Sequence, residues 1–237
     1  MKILVIFPHP DDEVYGPGGT LARYAAEGHD IRLVTLTRGE AGSLGICKTI
    51  DLEEKAAMRV AELQAAVKVL GLSQLEQLSL PDKQLAEYPE QEGIALVKAE
   101  IETYQPDLLI TFHDSGVSSH PDHIAVAKWC RAAVEEATFK TQLFYYGINA
   151  EQAEALQHIR NVVAFRSGEI THAIDVEAYY AVKLRAIECH ASQLDLLQAF
   201  ETAEGGYKPI GIVEYFSRPY PLLQTEALFD DLFLPFD

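Results

Sequence analysis

Short runs of consecutive apolar residues alternate along this chain with segments whose apolar residues recur every three or four positions. Consecutive apolar positions are typical of strands buried on both faces, and the three-to-four spacing is typical of helices that pack one face against a core. The pattern predicts strands at 2–7, 31–36, near 78–80, 107–112 and 142–146, and helices at 20–27, 51–70, 90–104, from the end of the segment HPDH through Val134, and at 178–189.

The clearest helix covers residues 51–70. Asp51 with Glu54 resembles a capping box in which Asp replaces Ser or Thr, and Gly71 is a natural helix terminator. The predicted buried face consists of apolar residues at helical spacing, namely Ala57, Val60, Ala61, Leu63, Val67 and Leu70.

The alternation of strands with helices predicts an α/β fold: a Rossmann-like, mostly parallel sheet with helices on both faces. The 237 residues, 48% of them apolar, fit a single domain spanning residues 1–237. A Pro- and aromatic-rich tail (YFSRPYPLL, FLPF) is expected to be irregular and to pack back over the domain. The GPGG turn after the first strand lacks the G-x-G-x-x-G spacing and is preceded by acidic residues, so we expect no nucleotide cofactor there.

Charge and cysteine content exclude several classes of partner and site. The chain has 19 basic and 36 acidic residues, a net charge of −17, which disfavours nucleic acid and anionic membranes. Cys47, Cys130 and Cys189 are too few and too scattered for a disulfide framework or a Cys-rich zinc site. No stretch approaches the roughly 18 apolar residues of a membrane span, and the N-terminal apolar run lacks signal-peptide features. We therefore expect a soluble, cytoplasmic protein.

Two polar stretches follow predicted strands. FPHPDDE at 7–13 places adjacent carboxylates between and after prolines, although like charges repel and proline disfavours regular hydrogen bonding. HDSGVSSHPDH at 113–123 follows the strand predicted at 107–112. Open α/β sheets bind ligands at the carboxyl ends of their strands, so two H-P-D segments are expected to face each other across one crevice. A divalent cation there would relieve the repulsion between Asp11 and Asp12.

Two histidines and one carboxylate form a three-ligand metal site with open positions, the usual catalytic arrangement of zinc. One of the adjacent aspartates would bind the ion. The other would take a proton from a water molecule on it, whose pKa zinc lowers from about 15.7 towards about 7. The remaining histidine would donate to an oxyanion or a leaving amine. Asp122, two residues after His120, is suited to orient that histidine and keep it cationic.

Five motifs occur in order along the chain: P-H-P-D-D-E, G-G-T-L, T-R-G-E-A-G at 37–42, H-P-D-H at 120–123, and K-x-x-A-x-x-x-H-x-S-Q from Lys183 to Gln193. With these motifs the chain resembles, over most of its length, the PIG-L/LmbE family of zinc-dependent N-acetylglucosaminyl deacetylases. The start FPHPDDE, the short length and L-P-D-K at 80–83 look most like deacetylases of bacillithiol biosynthesis, which release acetate from N-acetylglucosaminyl malate.

The resemblance implies specific roles for the residues of both H-P-D segments. It implies that His9, Asp12 and His123 bind zinc and that Asp11 is the general base. His120, held by Asp122, would stabilise the oxyanion and protonate the leaving amine. Zinc and ferrous iron are both candidates for the ion in the cell, and the expected partner is a small amino-sugar substrate.

Three further residues are candidates for substrate contact. Arg38 and Glu40, in the loop after the second strand, should lie on the same rim as the two polar stretches. Arg38 would compensate a substrate carboxylate against the acidic background, although it could equally be a solvated loop charge. His190 belongs to the fifth motif, where packing against the site would explain it as well.

Three competing functions remain open at the level of sequence. Two histidines and a carboxylate also form the facial triad of iron(II) oxygenases, and H-x-D occurs at His9 to Asp11. The second competing function is that of a metal-dependent amidase acting on a different acyl-amino compound, and the third is that of a non-catalytic, metal-stabilised binding module. Homo-oligomers are common among such enzymes, yet no interface stripe stands out along the chain.

Overall fold

The computed structural model describes residues 1–42, 50–198 and 211–234, so that Cys47 lies outside the described residues. Its centre is a seven-stranded sheet with the order β3-β2-β1-β4-β5-β7-β6. The strands are β1 (Lys2–Phe7), β2 (Asp30–Thr37), β3 (Gln74–Leu80), β4 (Leu108–Phe112), β5 (Gln142–Gly147), β6 (His172–Asp175) and β7 (Val213–Tyr220). The first five run parallel, and β7 pairs antiparallel with both β5 and β6. The predicted α/β fold with a mostly parallel sheet is confirmed.

Helices cover both faces of this sheet. They are α1 (Asp12–Tyr15), α2 (Gly18–Ala26), α3 (Leu52–Leu70), α4 (Glu90–Tyr104), α5 (Gly116–Ser119), α6 (Pro121–Glu136), α7 (Ala150–Leu156), α8 (Tyr180–Cys189) and α9 (Asp195–Gln198). None of the helices within the described ranges has the length and apolar character needed to cross a membrane.

The residues of β1 show why its strand is apolar at successive positions. Ile3, Val5 and Phe7 belong to one buried cluster, together with residues of α2, α3 and α8. Leu4 and Ile6 belong to a second cluster, with residues of α4 and α6. Since side chains alternate between the faces of a strand, both faces of β1 must be apolar to be covered in this way.

Helix α3 was predicted with the right ends, but only half of its predicted buried face, Leu63, Val67 and Leu70, is confirmed. The Asp51 carboxylate accepts the Glu54 N–H at 2.8 Å, and Gly71 ends the helix with a left-handed φ of 79°. The predicted residues Ala57 and Ala61 are exposed. The buried face instead consists of Ala56, Arg59, Leu63, Ala66, Val67 and Leu70.

The C-terminal part differs from the irregular tail that we expected. Residues 213–220 form β7, which completes its backbone hydrogen bonding between β5 and β6. Phe216 is fully buried in this strand. Beyond it, Leu232 packs in the core and its N–H donates to the Tyr24 hydroxyl, as expected for a tail that returns over the domain. The proline at 219 does not prevent the strand because it lies near the strand's end.

Candidate active site

The two polar stretches meet at the carboxyl ends of β1 and β4, which are adjacent parallel strands. β1 ends at Phe7 and β4 at Phe112, so residues 8–13 and 113–123 emerge at the same edge of the sheet. Because this edge is where open α/β sheets bind ligands, the fold brings both H-P-D segments into one crevice.

The side chains of His9, Asp12 and His123 converge in that crevice and are all buried. His9 Nδ1 lies 3.3 Å from His123 Nε2. Asp12 places Oδ2 3.4 Å from His9 Nδ1 and Oδ1 3.4 Å from His123 Nε2. Ligand atoms about 2.0–2.1 Å from a tetrahedral ion stand roughly 3.3–3.4 Å apart, so each of these pairs, taken separately, has a spacing that suits zinc.

Hydrogen bonds on the far side of each imidazole leave a lone pair facing the cluster. His123 Nδ1 lies 3.0 Å from the Gly116 carbonyl oxygen, which can only accept, so this nitrogen carries the proton. His9 Nε2 lies 3.0 Å from Asp122 Oδ2 and 3.2 Å from Asp82 Oδ1. With those bonds made, His123 Nε2 is the free nitrogen of a neutral ring, and His9 Nδ1 becomes one when a cation replaces its proton; the neutral ring is the form that binds metal.

His9 connects two groups of metal-binding side chains. Ligand atoms of His9, His120 and His123 lie within 4.8 Å of one another, and so do those of His9, Asp82 and Asp122. The Nδ1 atom of His9 faces Asp12 and His123, whereas its Nε2 atom faces Asp82 and Asp122. A cation on Nδ1 would therefore have Asp82 and Asp122 behind the ligand rather than around the ion.

The charges in the crevice favour a positive group between the carboxylates. Burial lowers the pKa of His9, but hydrogen bonds to Asp12, Asp122 and Asp82 outweigh it and hold this pKa well above its ordinary value. Burial lowers the pKa of His123 to about 4, so that ring is neutral at pH 7. Burial alone would raise the pKa of Asp12, but the two histidines bring it down to about 2. A divalent cation would compensate the negative charge of these carboxylates, as the proton on His9 does.

Asp11 faces the crevice from a left-handed backbone conformation, φ 95°. Its N–H donates to Glu13 Oε2 at 3.0 Å, and its Oδ2 lies 3.2 Å from the Arg59 guanidinium. The side chain is 20% exposed. Its partial removal from water raises the pKa to about 6, with Arg59 opposing and Asp12 adding to the rise. A carboxylate with this pKa is well matched to proton abstraction near neutral pH.

His120 is half-buried, and its ring lies beside that of His9, with centroids 4.8 Å apart. It is the N-cap residue of α6, and its Nδ1 accepts the Asp122 N–H at 3.2 Å. Burial and the neighbouring His9 lower the pKa of His120. The ring lines the cavity that Asp11 also lines.

The expectation that the Asp122 carboxylate holds His120 and keeps it cationic is wrong. Asp122 is fully buried, and its carboxylate accepts the N–H groups of Lys83 at 2.9 Å and Leu85 at 3.0 Å while contacting His9. The reason is geometric: His120 precedes the first turn of α6, whereas Asp122 lies within that turn and points into the protein. Asp122 therefore orients His9.

His190 does not lie where a substrate could contact it. The ring is fully buried, and its Nε2 lies 2.6 Å from Glu13 Oε1. Since Glu13 also accepts the Asp11 N–H, His190 is connected to the site through Glu13. The predicted substrate contact is replaced by a buried chain of hydrogen bonds that braces the turn at Asp11.

Arg38 and Glu40 lie in the loop after β2, but neither lines the cavity that contains Asp11 and His120. The Arg38 guanidinium pairs with Glu53 of α3 at 2.7 Å. Glu40 Oε1 accepts the Asp82 N–H at 3.3 Å. Both side chains therefore contact other parts of the protein at the rim, and the structure does not bring Arg38 to the substrate side.

Two important residues escaped the sequence-based interpretation. Arg59 is 3% exposed and donates to the carbonyl oxygens of Pro10 and Gly39 as well as approaching Asp11. The sequence contained a clue to this role, because Arg59 lies one helical turn before Leu63 and therefore on the same buried face of the helix. Asp82, 4% exposed, contacts His9 and accepts the Ala41 N–H at 2.7 Å. Its position after β3, at the same edge of the sheet, was the available clue.

Two cavities adjoin at Asp12 and His123, which line both together with Ser118 and Arg160. The first, here called the polar cavity, has a volume of about 350 Å³. It is lined by Asp11, His120 and further polar side chains that include Arg59, Asp82, Lys83, Asn161 and Arg160. The second, here called the apolar cavity, lies beside Phe112 and Tyr146 at the ends of β4 and β5.

Comparison with known proteins gives consistent matches. The family model PIG-L, described as GlcNAc-PI de-N-acetylase, matches residues 4–134. A 1D-myo-inositol 2-acetamido-2-deoxy-alpha-D-glucopyranoside deacetylase of Mycobacteroides abscessus is 29% identical over 227 residues, covering 81% of each chain. A probable N-acetyl-alpha-D-glucosaminyl L-malate deacetylase 2 of Bacillus anthracis is 30% identical, covering 81% of this chain and 80% of its own.

Among solved structures, N,N'-diacetylchitobiose deacetylase from Pyrococcus horikoshii superposes with a TM-score of 0.61 at 26% identity. The match covers 81% of this chain and 70% of the archaeal one.

Proposed function

Because the chain belongs to the PIG-L family, we propose that it is a metal-dependent hydrolase that removes the acetyl group from an N-acetylglucosaminyl conjugate. The observation that carries this proposal is the pairwise spacing of 3.3–3.4 Å between His9 Nδ1 and His123 Nε2 and between each of these nitrogens and one oxygen of Asp12. Asp11 and His120 border the same crevice, so a base and a hydrogen-bond donor are available beside the ion site.

His9, Asp12 and His123 would hold the ion, with zinc favoured by the nitrogen and oxygen donor set and ferrous iron as the second candidate in the cell. When bound, such an ion polarises the amide carbonyl and makes water more acidic. Asp82 and Asp122 hold the His9 ring in the orientation that the ion requires.

The remaining steps belong to the side chains of the crevice. Asp11 takes the proton from the attacking water, and Arg59 holds its carboxylate in position. His120, whose Nδ1 accepts the Asp122 N–H, donates a hydrogen bond from its other ring nitrogen to the developing oxyanion, and the proton taken up by Asp11 passes to the leaving amine. Its half-buried position beside His9 keeps it close to the reacting bond yet open to the polar cavity.

We further propose N-acetylglucosaminyl malate as the substrate, because the polar cavity offers positive charge in an acidic protein. Lys83 and Arg160 both line it, and neither forms an ion pair within the described residues. With a net charge of −17, the protein would otherwise repel the two carboxylates of malate. An inositol conjugate is neutral in the same place and gains nothing from these cations.

The test is release of primary amine from the malate conjugate, the inositol conjugate and N-acetylglucosamine, before and after chelation and with zinc added back. We expect metal-dependent release that is fastest from the malate conjugate. Lys83→Gln should lower kcat/KM for the malate conjugate about tenfold and leave the inositol conjugate unchanged, since a charge-assisted hydrogen bond is worth roughly 1.5–3 kcal/mol. Equal rates from both conjugates would remove the malate assignment but retain the deacetylase.

The same experiment separates the deacetylase from the three competing functions. A non-catalytic binding module would release no amine from any conjugate. An iron(II) oxygenase would need a 2-oxo acid and dioxygen, whereas hydrolysis proceeds without either. Release from a different acyl-amino compound alone would identify another amidase.

A further inference from the structure

The apolar cavity lies directly behind His123. The Phe112 ring stacks on the His123 ring with centroids 4.4 Å apart and an angle of 12° between the planes. The cavity continues from Phe112 along one side of α7. Its hydrocarbon lining consists of Phe112, Val117, Tyr146, Ile148, Leu156 and Val162.

Two of the three acidic and basic groups on the cavity wall are already engaged, and the third, Arg160, is exposed and shared with the polar cavity. Lys183 is 1% exposed, with its Nζ 2.6 Å from Glu214 Oε1 and 3.0 Å from the Gly16 carbonyl oxygen. Asp12 faces the two histidines, and Arg160 also lines the polar cavity. What remains for an occupant is mainly hydrocarbon, so the cavity suits an apolar chain rather than a sugar.

When the amide group of a substrate lies at Asp12 and His123, the two parts of the molecule that it joins extend into different cavities. The amine portion, rich in hydroxyl groups, fits the polar cavity with Arg59, Asp82 and Lys83. The acyl portion is then left for the second cavity that the same two residues line, the apolar cavity.

We propose that the apolar cavity is an acyl subsite that accepts N-acyl chains of about four to six carbons, longer than acetyl. The proposal rests on the proposed hydrolase activity and adds a substrate class to it. The volume of about 170 Å³ supports this length. An engineered apolar cavity of about 150 Å³ binds benzene, with six carbons, whereas an acetyl methyl would fill only a small part of such a space.

The test compares N-acetyl, N-butanoyl, N-hexanoyl and N-decanoyl glucosaminyl malate as substrates of the zinc-loaded protein. Burial of each methylene should raise kcat/KM about three- to fourfold until the cavity is full. We expect the hexanoyl conjugate to exceed the acetyl conjugate at least about tenfold and the decanoyl conjugate to fall below the hexanoyl one. Hexanoate should also bind more tightly than acetate in calorimetry, a measurement that needs no turnover.

Ala155 offers a way to fill the cavity without disturbing the core, because it is exposed on α7 and lines the cavity. Ala155→Phe should abolish the advantage of hexanoyl over acetyl, measured as the ratio of their kcat/KM values, and weaken hexanoate binding. Glu154→Phe, a substitution at the preceding exposed position that does not line the cavity, is the matched control and should change neither.

The outcomes distinguish the two proposals. Hydrolysis of the acetyl conjugate with no gain for butanoyl or hexanoyl would overturn the acyl subsite and leave the deacetylase intact. A gain that survives Ala155→Phe would place the acyl chain elsewhere and also overturn it. Absence of hydrolysis for every chain length, in protein shown to hold zinc, would overturn the proposed function and the acyl subsite together.

Discussion

The tripeptide His-Pro-Asp occurs twice in the site, and the two copies are used in opposite ways. In the first, His9 is buried and Asp11 faces the polar cavity. In the second, His120 faces that cavity and Asp122 is fully buried. In the proposed mechanism, identical residues thus contribute an ion ligand and a base in one copy, and a hydrogen-bond donor and a supporting carboxylate in the other.

Backbone conformation causes the difference. Asp11 has φ 95°, so the chain turns sharply before α1 and brings the Asp11 side chain back toward Arg59. His120 is extended, and Pro121 begins α6, which carries Asp122 inward on the first helical turn. Proline is favourable at the first helical position, where its missing N–H costs nothing. A motif therefore predicts where a site is, whereas the local backbone decides what each residue does.

The two copies also depend on each other. The buried carboxylate of the second, Asp122, contacts the buried imidazole of the first at 3.0 Å. The backbone N–H groups of Lys83 and Leu85, which donate to Asp122, come from the segment after β3. Three strand ends therefore cooperate to orient one ligand.

The largest contrast is expected between the two histidines. His9→Ala should remove zinc together with activity, a loss on the order of 10³-fold or more, because it deletes an ion ligand. His120→Ala should keep the zinc content at one equivalent and lower kcat roughly 100-fold, since it deletes only a hydrogen-bond donor to the oxyanion. Metal analysis beside steady-state kinetics decides the point. Equal zinc loss in both variants would make His120 a ligand.

The two aspartates should differ in the same way. Asp11→Asn should lower kcat at least about 100-fold with zinc retained, because the amide cannot accept a proton. Asp122→Asn should weaken zinc binding about 10- to 100-fold, since it loosens His9, and excess zinc should restore much of the activity. Zinc titration followed by kinetics separates these outcomes. If added zinc fails to restore Asp122→Asn, its carboxylate does more than support the ligand.

Much of the fold was predictable, because strands buried on both faces carry consecutive apolar residues. Four of the five parallel strands follow this rule. β3, at the edge of the sheet, mixes polar and apolar residues, none of them fully buried, and starts earlier than predicted, at Gln74. β6 and β7 were missed for a different reason. β6 has only four residues, and β7 mixes aromatic and charged residues with Pro219, so neither contains a continuous apolar run. Antiparallel pairing with strands that are distant in sequence stabilises β6 and β7, and such pairing leaves no pattern in the local sequence.

The members of the candidate site were predictable from composition, but their supports were not. Dense carboxylates beside histidines after β1 and β4 indicated which residues converge. The partners of Asp11 and His9 come from α3 and from the end of β3, distant in sequence, and only the tertiary structure brings Arg59 and Asp82 to them. The same holds for His190, whose motif identified its importance but not its buried position.

A smaller effect is expected on the pH dependence of kcat/KM, which depends on Asp11 in the first His-Pro-Asp segment. Asp11 acts as a base only when ionised, so kcat/KM should fall as the pH drops through its pKa, which is about 6 without the ion and lower with it. Arg59 lowers this pKa, and Arg59→Met should therefore move the acid limb to higher pH. A bound cation lowers the Asp11 pKa in the wild type and in the variant alike. The quantity to measure is therefore the difference between their acid limbs.

Profiles of kcat/KM from pH 5 to 8 at saturating zinc provide that comparison. Arg59→Lys keeps a positive charge and should give an intermediate limb. Identical acid limbs in the wild type, Arg59→Met and Arg59→Lys would mean that Arg59 does not affect the ionisation of Asp11.

The smallest effect is expected from removing the buried hydrogen bond between His190 and Glu13, which supports the turn at Asp11. His190→Phe keeps an aromatic ring but deletes the donor to Glu13, whose other oxygen accepts the Asp11 N–H. Losing this hydrogen bond should loosen the strained turn at Asp11 and lower kcat about 5- to 10-fold, with KM and zinc content unchanged, because the bond is worth roughly 1.5 kcal/mol when charge-assisted. His190→Gln restores a donor and should recover part of the rate. A loss confined to thermal stability, with kcat unchanged in both variants, would show that Asp11 holds its conformation without this brace.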